Sequence, residues 1–65
     1  MKNNIEITNK LLTPDQLADF LNISKTTIYR LIDSRKIPFY KIGGSIRFDK
    51  KDITSYLQEN KINPI

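Results

Sequence analysis

The sequence predicts a small, mainly α-helical domain: three short helices, with a two-stranded β-hairpin between the second and the third. Three observations carry that expectation. An apolar residue followed by a capping side chain, the usual start of a helix, occurs three times, at Thr13, Ser24 and Asp49. Only Asn22, Ile23 and Ser24 separate the first two apolar-periodic segments. The segments PFYKI and IRFD flank a Gly-Gly-Ser tip, a hairpin pattern.

In the first helix Thr13 is the N-cap, Pro14 takes the first helical position, and Gln16 is spaced to close a capping box. Leu12 and Leu17 would form the hydrophobic staple around that cap. Asn22 ends the helix, because asparagine tolerates the left-handed conformation there better than other non-glycine residues. A three-residue turn forces a steep helix pair, in which the small Ala18 permits close approach. Leu17, Leu21, Ile28, Leu31 and Ile32 supply the shared apolar seam.

The second helix repeats the start signal, with Ile23 before the Ser24 cap and Ile28 in the stapling position. At 100° per residue, Ile28, Leu31 and Ile32 fall on one side, and Thr26, Tyr29, Arg30 and Asp33 on the other. The outer face carries groups that suit the edges of base pairs. Arg30 offers a bidentate fork to guanine, Thr26 a hydroxyl to a base or phosphate, and Tyr29 a hydroxyl for phosphate and a ring for a thymine methyl. Ser24, Lys25 and Thr27 sit at the amino end, where the helix dipole favours a phosphate. Asp33 fits two roles, accepting from cytosine N4 or setting the docking angle by repelling phosphate. Singly, each residue is equally a solvated surface group; their meeting on the second helix of a tight pair points to double-stranded DNA.

Pro38 ends the helical region. A three-residue Gly43-Gly44-Ser45 loop would put Ile42 opposite Ile46 and Tyr40 opposite Phe48 on the inner face, leaving Lys41 and Arg47 to project outward beside a glycine tip. A two-residue turn would split the apolar set between faces, so the longer loop is the expected one. Outward Lys41 and Arg47 suit phosphate or a minor groove, or serve as protective cations on a solvated hairpin edge. The third helix is expected from about Lys50 to Glu59, with Ile53, Tyr56 and Leu57 covering the core. Lys50 and Lys51 oppose its dipole, a placement that a nearby phosphate would explain. Residues 1–10 are expected to be a flexible segment in which Ile5 and Ile7 could add an edge strand, residues 11–60 the folded domain, and residues 61–65 a tail.

Composition narrows the function classes. In 65 residues there is room for one compact core and little for a catalytic cleft. The absence of cysteine and histidine removes thiolate chemistry, the usual general base and the commonest metal ligands, so neither an enzyme nor a cofactor is expected. No signal peptide or long apolar run is present, which fits a cytoplasmic, nucleoid-associated protein and no membrane partner. The net charge is +4, and its distribution is uneven. Between Lys25 and Lys51, eight cations (Lys25, Arg30, Arg35, Lys36, Lys41, Arg47, Lys50 and Lys51) face Asp33 and Asp49, a local balance of +6. Such a basic sector is the electrostatic footprint of a polyanion partner.

The chain from LLTPDQLADFL through ISKTTIYRLI, KIP, KIGG and IRF to DITSYL resembles the excisionase-type winged helix-turn-helix domains related to the MerR-like DNA-binding fold. The order and spacing of the pieces carry the resemblance. It implies that the second helix enters the major groove with the wing beside it, which carries over to Lys25, Thr26, Tyr29 and Arg30, and to Lys41 and Arg47. Relatives often place arginines right after the first wing glycine. Here Gly44 and Ser45 follow it, so deep minor-groove insertion is not carried over. The resemblance implies an excisionase, or recombination directionality factor, of a mobile element that bends DNA and works with an integrase of the tyrosine recombinase kind. Two alternatives stay open: a small transcriptional regulator of the same fold, and a protein-interaction module that docks an acidic partner. With no effector domain or coiled coil after Leu57, a stand-alone ligand sensor is not expected. A single module buries only ~600–1,000 Å² on DNA, so cooperative self-association or a partner protein is expected to add specificity.

Overall fold

The computed structural model describes residues 11–64. Helices α1 (Pro14–Leu21) and α2 (Lys25–Asp33) come first, then strands β1 (Tyr40–Ile42) and β2 (Ser45–Arg47), then helix α3 (Lys50–Glu59). The strands form one antiparallel hairpin. This is the three-helix, two-stranded winged architecture that the sequence predicts. The expectations for residues 1–10, including an edge strand from Ile5 and Ile7, lie outside the described residues, as does Ile65.

Each helix begins where its cap stands. The Gln16 amide donates to Thr13 Oγ1 at 3.1 Å and the Thr13 amide donates to Gln16 Oε1 at 2.9 Å, so the capping box is closed in both directions. At α2 the Thr27 amide donates to Ser24 Oγ at 3.2 Å, and at α3 the Lys51 amide donates to Asp49 Oδ1 at 2.9 Å. These bonds satisfy amides that a helix start otherwise leaves orphaned. Asn22 ends α1 with φ 58°, and the Ile23 amide reaches back to the Ala18 carbonyl at 3.0 Å. The turn is thus closed over Ala18, which is buried between the helices.

The core consists of Leu17, Ala18, Ile28, Ile32, Ile37, Phe48 and Ile53, with Leu12, Leu21, Leu31, Phe39, Ile46 and Tyr56 packed around it. Phe48 joins the wing to the helices. It is fully buried, and its amide and carbonyl pair with those of Leu12 at 2.8 and 2.7 Å, forming an isolated antiparallel bridge. Thus Leu12, expected only as a staple for α1, also anchors the end of the hairpin.

Two packing expectations need correction. The hairpin register differs first: the turn has two residues, Gly43 and Gly44, and pairs Ile42 with Ser45, Lys41 with Ile46, and Tyr40 with Arg47. Both glycines have positive φ, 55° and 89°, which is what a two-residue turn matched to the twist of the strands requires. The apolar set is indeed divided between faces, and the fold accepts it. Phe39, Ile46 and Phe48 share the core side, while Tyr40 and Ile42 stay exposed, Ile42 by 54%. Lys41 and Arg47, expected to project together, consequently belong to opposite faces of the hairpin. Second, Leu57 is 43% exposed, so α3 covers the core through Ile53 and Tyr56. At the start of α2, Ile23 is 38% exposed and Ile28 is fully buried.

Candidate nucleic-acid interface

The exposed face of α2 is a single open surface formed by Thr26, Tyr29, Arg30, Asp33 and Ser34. Their spacing of three and four residues places them on one side of the helix, opposite the buried Ile28 and Ile32. Packing of that apolar side against α1 therefore decides which side chains α2 presents. Ser34 is the exception in chemistry: its hydroxyl donates to the Arg30 carbonyl at 2.9 Å and serves the helix end. Thr26, Tyr29, Arg30 and Asp33 keep their polar groups at the surface.

At the amino end of α2, Ser24 Oγ and Thr27 Oγ1 lie 3.0 Å apart. One hydroxyl donates to the other, so one proton of the pair is left for an outside acceptor. Lys25 is exposed and lies 3.2 Å from Asp15 Oδ1, in a groove also lined by Ala18, Asp19 and Ile23. This ion pair is solvent-exposed at both ends, so a phosphate can displace the carboxylate at small cost.

A second groove runs between α2 and the hairpin. Tyr29, Ile32, Asp33, Arg35, Phe39, Lys41, Gly44 and Ile46 line it, so Lys41 joins the α2 surface through Tyr29 and Asp33. Arg47 does not. It lines a separate groove with Leu11, Ile42 and Ser45, and its Nη1 donates to the Ile46 carbonyl at 2.7 Å. Lys36, Lys50 and Lys51 are exposed and line none of these grooves. Of the predicted residues, then, Thr26, Tyr29, Arg30 and Lys41 come together, Ser24, Lys25 and Thr27 adjoin them at the start of α2, and Arg47 is turned to the other face of the wing.

Sequence reasoning passed over Arg35 in this surface. It is left-handed, with φ 58°, and its guanidinium carbon lies 5.7 Å from the centroid of the Phe39 ring. No glycine marks the position, so the sequence carries no signal for the backbone that aims it. Among the described residues, no group of three or more His, Cys, Asp or Glu could hold a metal ion, and no helix is long and apolar enough to cross a membrane.

Comparison with known proteins agrees with this geometry. A protein of Mycobacterium tuberculosis (strain ATCC 25618 / H37Rv), VapB50, named as a candidate antitoxin, is 40% identical over 52 residues, covering 80% of this chain and 40% of the relative. An uncharacterized protein of Bacillus subtilis (strain 168), YvgK, is 36% identical over 68% of this chain and 14% of its own length. Another Mycobacterium tuberculosis protein, Rv0500A, named as a candidate DNA-binding protein, is 33% identical over 75% of this chain and 63% of its own length. The chain thus spans less than two thirds of each of these relatives. No solved structure matches the chain at a significant level. Residues 11–61, which contain all three helices and the wing, match the family model described as a helix-turn-helix domain, and the chain belongs to that family.

Proposed function

We propose that the chain binds double-stranded DNA with sequence preference, α2 lying in the major groove and the hairpin against the neighbouring backbone. One observation carries this reading above the others: four polar side chains, Thr26, Tyr29, Arg30 and Asp33, share the open side of the second helix of a helix-turn-helix pair. Arg30 and Thr26 read base edges, Tyr29 meets a thymine methyl or a phosphate, and Ser24, Lys25 and Thr27 hold phosphate at the helix start. Lys41 reaches the backbone from the wing. Lys36, Lys50 and Lys51 add to the field of the basic sector.

Family membership and the relative named as a DNA-binding protein support duplex binding. The excisionase-type resemblance supports a finer role: an architectural protein of a mobile element, bound cooperatively at adjacent sites, that bends DNA for an integrase. A small transcriptional regulator of the same fold is the second reading. It is favoured by relatives whose names mention an antitoxin and DNA binding but no recombination. A gel-phasing assay separates them, because the architectural role requires a bend and simple occlusion of a promoter does not.

The duplex reading itself is tested by selecting binders from a random duplex library and measuring affinity against salt. With about five phosphates neutralised, log affinity should fall with a slope of roughly −4 to −5 per decade. Arg30→Ala should flatten the sequence preference at one or two positions, while Lys41→Ala weakens all sequences alike. Equal affinity for the selected duplex and for polyglutamate would instead establish a module that docks acidic partners.

A further inference from the structure

We propose that Arg35 and Lys41 form a clamp for one backbone phosphate in the groove between α2 and the hairpin, and that Arg35 is a positioning residue for the duplex. This deepens the reading of α2 as a duplex-binding helix and rests on it.

Arg35 follows α2 in the left-handed conformation, φ 58°, where glycine or asparagine is the usual occupant. Asn22 at the end of α1 shows the ordinary solution, at the same φ of 58°. Around Arg35 the closing bonds are complete: its own amide donates to the Ile32 carbonyl at 3.1 Å and the Lys36 amide donates to the Leu31 carbonyl at 2.9 Å. The helix end therefore needs a left-handed residue, and its closing bonds come from backbone amides that any non-proline residue supplies. A side chain with conformational disfavour at its root points to what its head group does.

The guanidinium lies over the Phe39 ring at 5.7 Å, and Phe39 is packed against the core. A cation–π contact draws the head group to the Phe39 side of the groove and leaves its N–H groups available for oxygens. Lys41 lines the same groove from β1 because the two-residue turn assigns it to the face of Ile46 rather than to the outer face. Among the described residues the ion pair within 4.0 Å is Lys25 with Asp15, so Asp33, which also lines the groove, engages neither cation at that distance. Two cations and one carboxylate leave a local charge of +1, and a planar fork beside a point charge suits a phosphodiester with two free oxygens.

The groove adjoins the surface of α2 through Tyr29 and Asp33, which line both. A duplex with α2 in its major groove brings one strand's backbone to that border. Arg35 would then set how α2 sits, without reading a base.

The test uses the full chain, a selected duplex and five variants. Arg35→Gly should keep or raise Tm, by up to about 5 °C, because it relieves the left-handed residue. At the same time it should weaken duplex binding about tenfold near 0.15 M salt and make the salt slope shallower by less than about 0.9, because Lys41 still faces the shared phosphate; the Arg35 and Lys41 double variant should lose the full ~0.9. Arg35→Asn, which also accepts the backbone, should behave alike. Lys41→Ala should weaken binding too, and the double variant should lose less than the two single losses combined, because one phosphate is shared. Asp33→Asn should tighten binding. Arg35→Gly with wild-type affinity and slope, or fully additive losses, would overturn the clamp. A wild-type chain without salt-dependent duplex binding would overturn the duplex reading instead. Inorganic phosphate at matched ionic strength should leave the Arg35 Hε resonance unmoved; a saturating shift would assign the groove to a free anion and not to the DNA backbone.

Discussion

Among the described residues Phe48 is the largest fully buried side chain. It is fully buried, and its backbone joins Leu12 on one side while its chain neighbours join the wing and the cap of α3. Phe48→Ala should cost about 3–5 kcal/mol, against a total stability of only about 3–10 kcal/mol for a chain this short. Thermal melting by circular dichroism should show the variant largely unfolded at 37 °C; a Tm within a few degrees of wild type would mean that the core closes without it. Lys25 and Asp15 illustrate a residue whose effect lies in binding instead. Both are more than half exposed, so Asp15→Ala should cost at most about 1 kcal/mol, including the lost dipole interaction at the start of α1. Removing that carboxylate frees Lys25 and deletes a charge that repels phosphate, so duplex affinity measured by fluorescence anisotropy should rise about two- to fourfold at low salt.

The three helices were legible because their signals are local. Thr13 with Gln16, Ser24 and Asp49 each announce a helix start within four residues, and the structure places all three caps where those residues stand. The hairpin register was not legible, for a physical reason: alternation assigns Tyr40 and Ile42 to the core, while the two glycines demand a turn that turns them out. Backbone preference at the turn outweighs the pattern, because Phe39, Ile46 and Phe48 already fill the core side. The turn gives its own test. Added Cβ atoms at Gly43 and Gly44 would meet nothing within 4 Å, so any penalty there comes from φ alone. Gly43→Asn should change stability by less than about 0.5 kcal/mol, since asparagine accepts φ 55°, whereas Gly44→Ala at φ 89° should cost about 1 kcal/mol or more. A Gly44→Ala variant with an unchanged Tm would mean that the hairpin slips into the three-residue loop, which cross-strand amide contacts in an NMR spectrum would reveal as Ile42 facing Ile46.

At the scale of the molecule, helix periodicity in the sequence was enough to gather Thr26, Tyr29 and Arg30 on one face, but the surfaces formed across elements depended on how the wing meets α2. Lys41 was expected to share a face with Arg47 and instead shares a groove with Arg35, a residue that only its left-handed backbone and the contact with Phe39 bring into view. The basic sector from Lys25 to Lys51 has a consequence for stability with opposite signs in the two states. Its local charge of +6 repels itself in the free protein, so raising salt from low ionic strength should screen that repulsion and raise Tm. A selected duplex present at about one hundred times its Kd should stabilise the fold by about 2.7 kcal/mol, which for a domain of this size is a rise of about 10–20 °C. Salt weakens phosphate contacts, so the same addition should lower the Tm of the complex while it raises that of the free chain. The two melting curves should therefore converge as salt increases, and a DNA-induced shift that stays constant across that range would mean that the stabilising contacts are not to phosphate.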